Sequence, residues 1–145
     1  YIKAPIKITM KYSIPNYAFT GNNEIIFSPL VANNLYRGAM SHLNMNTSMA
    51  ERNYGFKDRC SRLVELKETV TLPAGYKAVQ NNWDEEVSGT GADFSGYLKQ
   101  QGNKLELYNK VVLKKRVYDV ADWDSFRNAV NAQKEFADKP IILKN

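Results

Sequence analysis

Catalytic chemistry has little material to work with in this chain, which holds one cysteine, Cys60, and one histidine, His42. A thiol nucleophile, an imidazole base and an orienting carboxylate such as Asp58 are the ingredients of a hydrolytic triad. Cys60, however, shares the period-two parity of Val64, Leu66 and Val70. That parity predicts a small buried hydrophobe in a strand rather than an exposed thiolate. His42 sits in an Asn-rich stretch and reads as a surface histidine. No catalytic residue is therefore assigned, and a thiol hydrolase is the least favoured of three readings. One cysteine excludes an intrachain disulfide and any multi-cysteine zinc or iron–sulfur site. One histidine excludes a multi-histidine metal centre, so neither metal nor cofactor is expected.

Two other clusters carry charge or aromatic surface. Asp84, Glu85 and Glu86 follow Trp83 in a polar stretch, Asn81 to Gly91, that reads as a loop. The run lacks the alternating oxygen-ligand spacing of a calcium loop, which makes it a solvated charged segment. Trp83 is a candidate ligand contact, since an exposed tryptophan can stack on a sugar or a base. Lys110, Lys114, Lys115 and Arg116, with Tyr108 and Tyr118 nearby, form the densest basic patch. Three of these cations fall on the solvent parity of a strand, where lysines also guard sheets against association. The overall charge of +5 is spread over 20 basic and 15 acidic residues, so nucleic acid is not expected as a partner. Tyr108 and Tyr118 join Trp83 as candidate contacts for a glycan or peptide. Neither a GxGxxG nor a GxxxxGK[ST] stretch is present.

The elements that must position these residues are mostly strands. Tyr1 to Ile14 alternates Ile2, Ala4, Ile6, Ile8, Met10, Tyr12 and Ile14 against Lys3, Lys7, Thr9, Lys11 and Ser13, as a half-buried strand does. Glu24 to Phe27 is a short strand stopped by Ser28-Pro29. Leu30 to Asn53 has no steady period and reads as a long irregular excursion. From Arg59 to Leu72 alternation resumes, ending in Pro73-Ala74-Gly75, and Tyr76 to Val79 continues as a short strand. Ala92 to Gln100 and Lys104 to Val117 flank Gln101-Gly102-Asn103 as a hairpin. Leu105, Leu107, Val111, Leu113 and Val117 are its core side. Only the segment from about 122 to 138 has helical spacing, through Trp123, Phe126, Val130 and Ala137, with Asp122 as candidate N-cap. Lys139-Pro140 stops it, and Ile141-Ile142-Leu143 is a terminal strand. The pattern predicts a mainly β fold, an immunoglobulin-like or related β-sandwich, with one C-terminal helix on its surface or edge.

With 145 residues, 43% of them hydrophobic and 24% charged, the chain suits one domain, 1–145. No run approaches the roughly 18 apolar residues of a transmembrane helix. The opening Tyr-Ile-Lys already reads as a strand without an initiator Met, so the sequence is expected to be a segment of a larger protein.

The order of motifs carries a resemblance. Glu24-Ile25-Ile26-Phe27-Ser28-Pro29-Leu30, then Val70-Thr71-Leu72-Pro73-Ala74-Gly75-Tyr76, then Gly102-Asn103-Lys104-Leu105, and finally Asp122-Trp123-Asp124-Ser125-Phe126-Arg127 leading to Ile141-Ile142-Leu143, span nearly the whole chain. Together they resemble the C-terminal β-sandwich, of unassigned function, in bacterial transglutaminase-like multidomain proteins. The resemblance implies a non-catalytic accessory or structural role beside a papain-like thiol core, with the upstream domains of the same polypeptide as partners. It also implies an exported, periplasmic or cell-envelope setting. No catalytic residue of that core carries over to a position here. A glycan- or peptide-binding module is the alternative function.

Overall fold

The computed structural model describes residues 7, 9–11, 13–30, 46–80 and 82–145. Most of the alternating segment 1–14, most of the 30–53 excursion and His42 lie outside the described residues. Among the described residues, ten strands and one long helix follow in the order β1 (Phe19–Gly21), β2 (Glu24–Phe27), β3 (Phe56–Lys57), β4 (Arg62–Thr71), β5 (Lys77–Ala78), β6 (Trp83–Val87), β7 (Ala92–Gln101), β8 (Lys104–Leu113), β9 (Val117–Tyr118), α1 (Trp123–Asp138) and β10 (Ile141–Lys144). They form a large antiparallel sheet β4-β8-β7-β6, a small sheet β1-β2-β10-β5 and a two-stranded ribbon β3-β9.

Turn chemistry sets the registers. The two-residue Gly102-Asn103 loop, with Gly102 at φ +58°, pairs Gln101 with Lys104 and carries that register without a break to Ala92 opposite Leu113. At Gly75, φ is +89°, and the Tyr76 N–H closes the turn onto the Pro73 carbonyl, the left-handed position a side chain would strain. Asn22 and Asn23 both have positive φ, as the tight β1–β2 hairpin requires.

The large sheet presents one face to the core and one to solvent. Its core face is divided between two coverings. Helix α1 packs Phe126, Ala129, Val130 and Phe136 onto the Ala92, Phe94, Val111 and Leu113 half. The small sheet packs Phe27, Ala78, Ile141 and Leu143 onto the Leu98, Leu105 and Leu107 half. Each large apolar side chain fully buried this way contributes about 1.5–3 kcal/mol. The mainly β sandwich with one late helix is thus present. The helix differs from expectation in place: it forms half of the second layer, because Trp123, Phe126, Val130 and Phe136 line one continuous apolar stripe that is buried throughout. Ala137, expected in that stripe, is only half-buried, and Phe136 takes its role.

Residues 46–56 strap α1 from outside. Thr47 donates to Asn131 at 2.7 Å, Arg127 Nε donates to the Thr47 carbonyl at 2.9 Å, and Trp123 Nε1 donates to the Met49 carbonyl at 3.1 Å. The Arg52 guanidinium lies over both the Phe56 and Trp123 rings, 4.7 and 4.4 Å from their centroids.

Candidate functional site

Cys60 is exposed, which overturns its expected place in the core. The reason is where the strand starts. β4 begins at Arg62, and residues 58–61 turn: Asp58 accepts from the Arg59 N–H at 2.7 Å and from Arg62 at 2.9 Å. Parity does not propagate through such a turn. Val64, Leu66 and Val70 do share the inner side, as expected. Asp58, the would-be orienting carboxylate, is engaged by Arg62. Among the described residues no group of three or more His, Cys, Asp or Glu side chains is placed to hold a metal ion.

The three candidate contacts separate. Tyr118 is fully buried and cannot meet a ligand. Its ring stacks on Phe56 at 4.6 Å and meets Phe126 edge-on at 5.1 Å; burial pushes its hydroxyl pKa up. Val117, expected on the core side, is 62% exposed instead. Strand β8 ends at Leu113, the break at 114–116 shifts the phase, and β9 pairs with β3 rather than extending the hairpin. Trp83 does not sit in a loop but opens β6, where it pairs opposite Leu98. One face of its indole stacks on Phe136 at 4.9 Å, and Lys139 Nζ lies 4.4 Å from its centroid. The tryptophan is therefore engaged in closing the core beside α1. The strand was hidden because Glu85, a carboxylate, takes an inner position between Trp83 and Val87.

The basic patch is also broken up. Lys114 pairs with Asp93 at 2.8 Å and donates to the Gly89 carbonyl. Lys115 pairs with the buried Asp122 at 2.7 Å. Asp122 occupies the N-cap position of α1 without capping it. Its carboxylate accepts from Lys115, from Thr90 at 2.9 Å and from the Asp119 N–H at 2.9 Å, so its pKa is held below the usual range, chiefly by Lys115. These bonds tie the β6–β7 loop and the β8–β9 connection to the start of the helix. They are a structural lock.

Only Tyr108 stands on the open face of the large sheet, and there it has a partner that the sequence reading missed. Tyr97 on β7 pairs directly opposite it, ring centroids 5.0 Å apart and 15° from parallel. The hairpin arithmetic held the signal: closing Gln101 onto Lys104 places position 97 across from 108. Both hydroxyls are pinned. Tyr97 donates to Glu106 at 2.5 Å and Tyr108 to Glu65 at 2.6 Å, while Lys67 pairs with Glu106 at 2.9 Å. The hydrogen bond to Glu65 pushes Tyr108 up to about 12; the bond from Tyr97 holds Glu106 down. Lys99 Nζ sits 4.6 Å from the Tyr97 centroid. Beside the tyrosines, toward the β6 edge, lies a trough of about 410 Å³. Ser95 and the Gly96 backbone contribute its floor, and Asp84 and Glu86 of β6 stand along its other side.

The fold defines a mainly β, sandwich-type domain with one C-terminal helix. A model of a domain of unknown function with a solved structure, DUF3858, matches residues 23–143, and the chain belongs to this family. No curated protein matches. Among solved structures, the chain is similar to the crystal structure of a "putative protease" from Parabacteroides distasonis ATCC 8503, with a TM-score of 0.66 and 15% identity. The match covers 86% of this chain and 24% of that one, so the chain spans about a quarter of the length of the solved protein. At that identity the likeness establishes the fold. No helix among the described residues is long and apolar enough to cross a membrane.

Proposed function

We propose that this chain is a non-catalytic accessory domain of an exported transglutaminase-like protein, packing against or spacing its catalytic core. The observation that carries the reading is the fold match to about a quarter of a larger protein described as a protease. The local chemistry supports it. Asp58, the carboxylate closest in sequence to Cys60, is engaged by Arg62, and Asp122 is engaged by Lys115 and Thr90, so both serve structure. The order of motifs along the chain supports the transglutaminase-like association and, with it, the exported setting.

The test begins with the coding sequence upstream of Tyr1, which should encode the cysteine, histidine and aspartate of a thiol core. In the longer protein, Cys60→Ala should leave peptidase or transamidase activity intact. Replacing the upstream cysteine should abolish it. A thiol-dependent activity retained by the 145-residue chain alone and lost on Cys60→Ala would overturn the proposal.

A further inference from the structure

The open face of the large sheet carries an arrangement that the accessory role does not use. Sheet faces that only meet water need no preorganised side chains, yet here the Tyr97–Tyr108 pair is clamped by two short hydroxyl–carboxylate hydrogen bonds, and one of those carboxylates is held by Lys67. The pair walls a trough of about 410 Å³, within the range of small-ligand sites. The residues opposite, Asp84 and Glu86, are exposed, and among the described residues neither has an ion-pair partner. By contrast Glu65 and Glu106, on β4 and β8 of the same face, are both held by tyrosine hydroxyls.

We infer that this trough is a binding site for a hydroxyl-rich oligosaccharide. Three observations select that class. Asp84 and Glu86 lie at alternate positions of one strand, so both project on the same face as acceptors for sugar hydroxyls. Ser95 and Lys99 add donors, which makes the lining mixed in sign rather than uniformly acidic. The place over the tyrosine ring that a cationic ligand would take is already held by Lys99. A basic peptide would have to displace that ammonium, whereas a neutral saccharide meets ring edges and hydrogen-bonding groups left open. Because Tyr97 is covered by Tyr108 on one side and Lys99 on another, recognition rests on hydrogen bonds more than on ring stacking. Affinity in the high micromolar to millimolar range, about 10⁻⁴–10⁻³ M, follows.

The inference goes beyond the accessory reading and is tested on the 145-residue chain, so neither outcome depends on the other. Amide chemical shifts of the ¹⁵N-labelled protein are followed during titration with cellotetraose, chitotetraose, maltotetraose and, separately, hexalysine. At least one tetrasaccharide should move the amides of Asp84–Glu86 and Ser95–Tyr97 and leave β10 unmoved. The surface double variant Asp84→Asn, Glu86→Gln should weaken binding at least about tenfold, and Ser95→Trp, which fills the trough, should abolish it. Three results overturn the inference: no tetrasaccharide response at about 10 mM, an undiminished response in both variants, or a response to hexalysine alone.

Discussion

Asn109 is a place where the fold works against its own stability, and replacing it tests that directly. The residue lies in mid-β8 on the core side, between Leu107 and Val111, opposite Leu66 on one neighbour and Gly96 on the other. It is 1% exposed, and among the described residues neither Nδ2 nor Oδ1 has a hydrogen-bond partner. A buried polar group without a partner costs about 1–3 kcal/mol. Leucine has the same number of side-chain heavy atoms in the same branching, so Asn109→Leu removes both orphaned groups and adds apolar contact. Its larger methyl groups bring a packing penalty that approaches about 1 kcal/mol at best and about 3 kcal/mol at worst. With two orphaned groups at about 1–3 kcal/mol each set against that penalty, the central expectation is a gain of about 2 kcal/mol, which for a domain of this size raises Tm by about 6 °C. Urea unfolding followed by tryptophan fluorescence should show a higher midpoint at unchanged slope. A loss of stability of about 1 kcal/mol or more, in Asn109→Leu and in Asn109→Ala alike, would refute the reasoning by showing that the amide is satisfied in solution.

Three further outcomes are expected. Gly96→Ala should destabilise the fold by about 1–3 kcal/mol in a thermal melt, since the new Cβ would stand 2.7 Å from Phe94 Cζ and 3.1 Å from Phe136. Acid should destabilise the protein as the pH falls below about 4: Asp122, held down by Lys115, and Glu106, held down by Tyr97, have pKa values lowered in the fold, so the stability they add is present above their unfolded values and is lost as they protonate. Asp122→Asn should remove part of that acid dependence in pH-scanned circular dichroism. On the alkaline side, absorbance at the phenolate band should show Tyr108 ionising near 12; its raised pKa stabilises the fold below the unfolded value near 10, and that contribution disappears as the pH passes about 12. Glu65→Gln should return Tyr108 toward the ordinary tyrosine range.

Where a long segment obeyed one period, its structure could be read from the residues. The β7–β8 hairpin, α1 and β10 fall within a residue or two of the expected bounds, except that the second hairpin arm stops at Leu113, and β4 is present but starts three residues late, at Arg62. Failures cluster where a period was interrupted or disguised. Cys60 lies ahead of the strand whose parity it shares, since β4 starts only at Arg62. Tyr118 and Val117 exchanged roles because three residues after Leu113 reset the phase. Trp83–Val87 was concealed by an inward glutamate. The tyrosine pair was half visible: Tyr108 was singled out for its neighbours in sequence, while the residue that gives it meaning, Tyr97, comes from across the turn. β3, two residues long, exists only by pairing with β9 about sixty residues on, a long-range effect that no local pattern announces.

The two-part core also sets an order of assembly. β7 and β8 close through a two-residue loop, so the centre of the large sheet can gather from contacts that are near in the chain. The small sheet cannot: its inner strand β10 joins Phe27 to Ile141 and Leu143 to Ala78, bridging the two ends of the family match. During synthesis the apolar side chains of β2 therefore wait for β10 to emerge, exposed through translation of the whole large sheet. The half built around α1 should therefore protect its amides before the small sheet does in pulse-labelled hydrogen exchange during refolding.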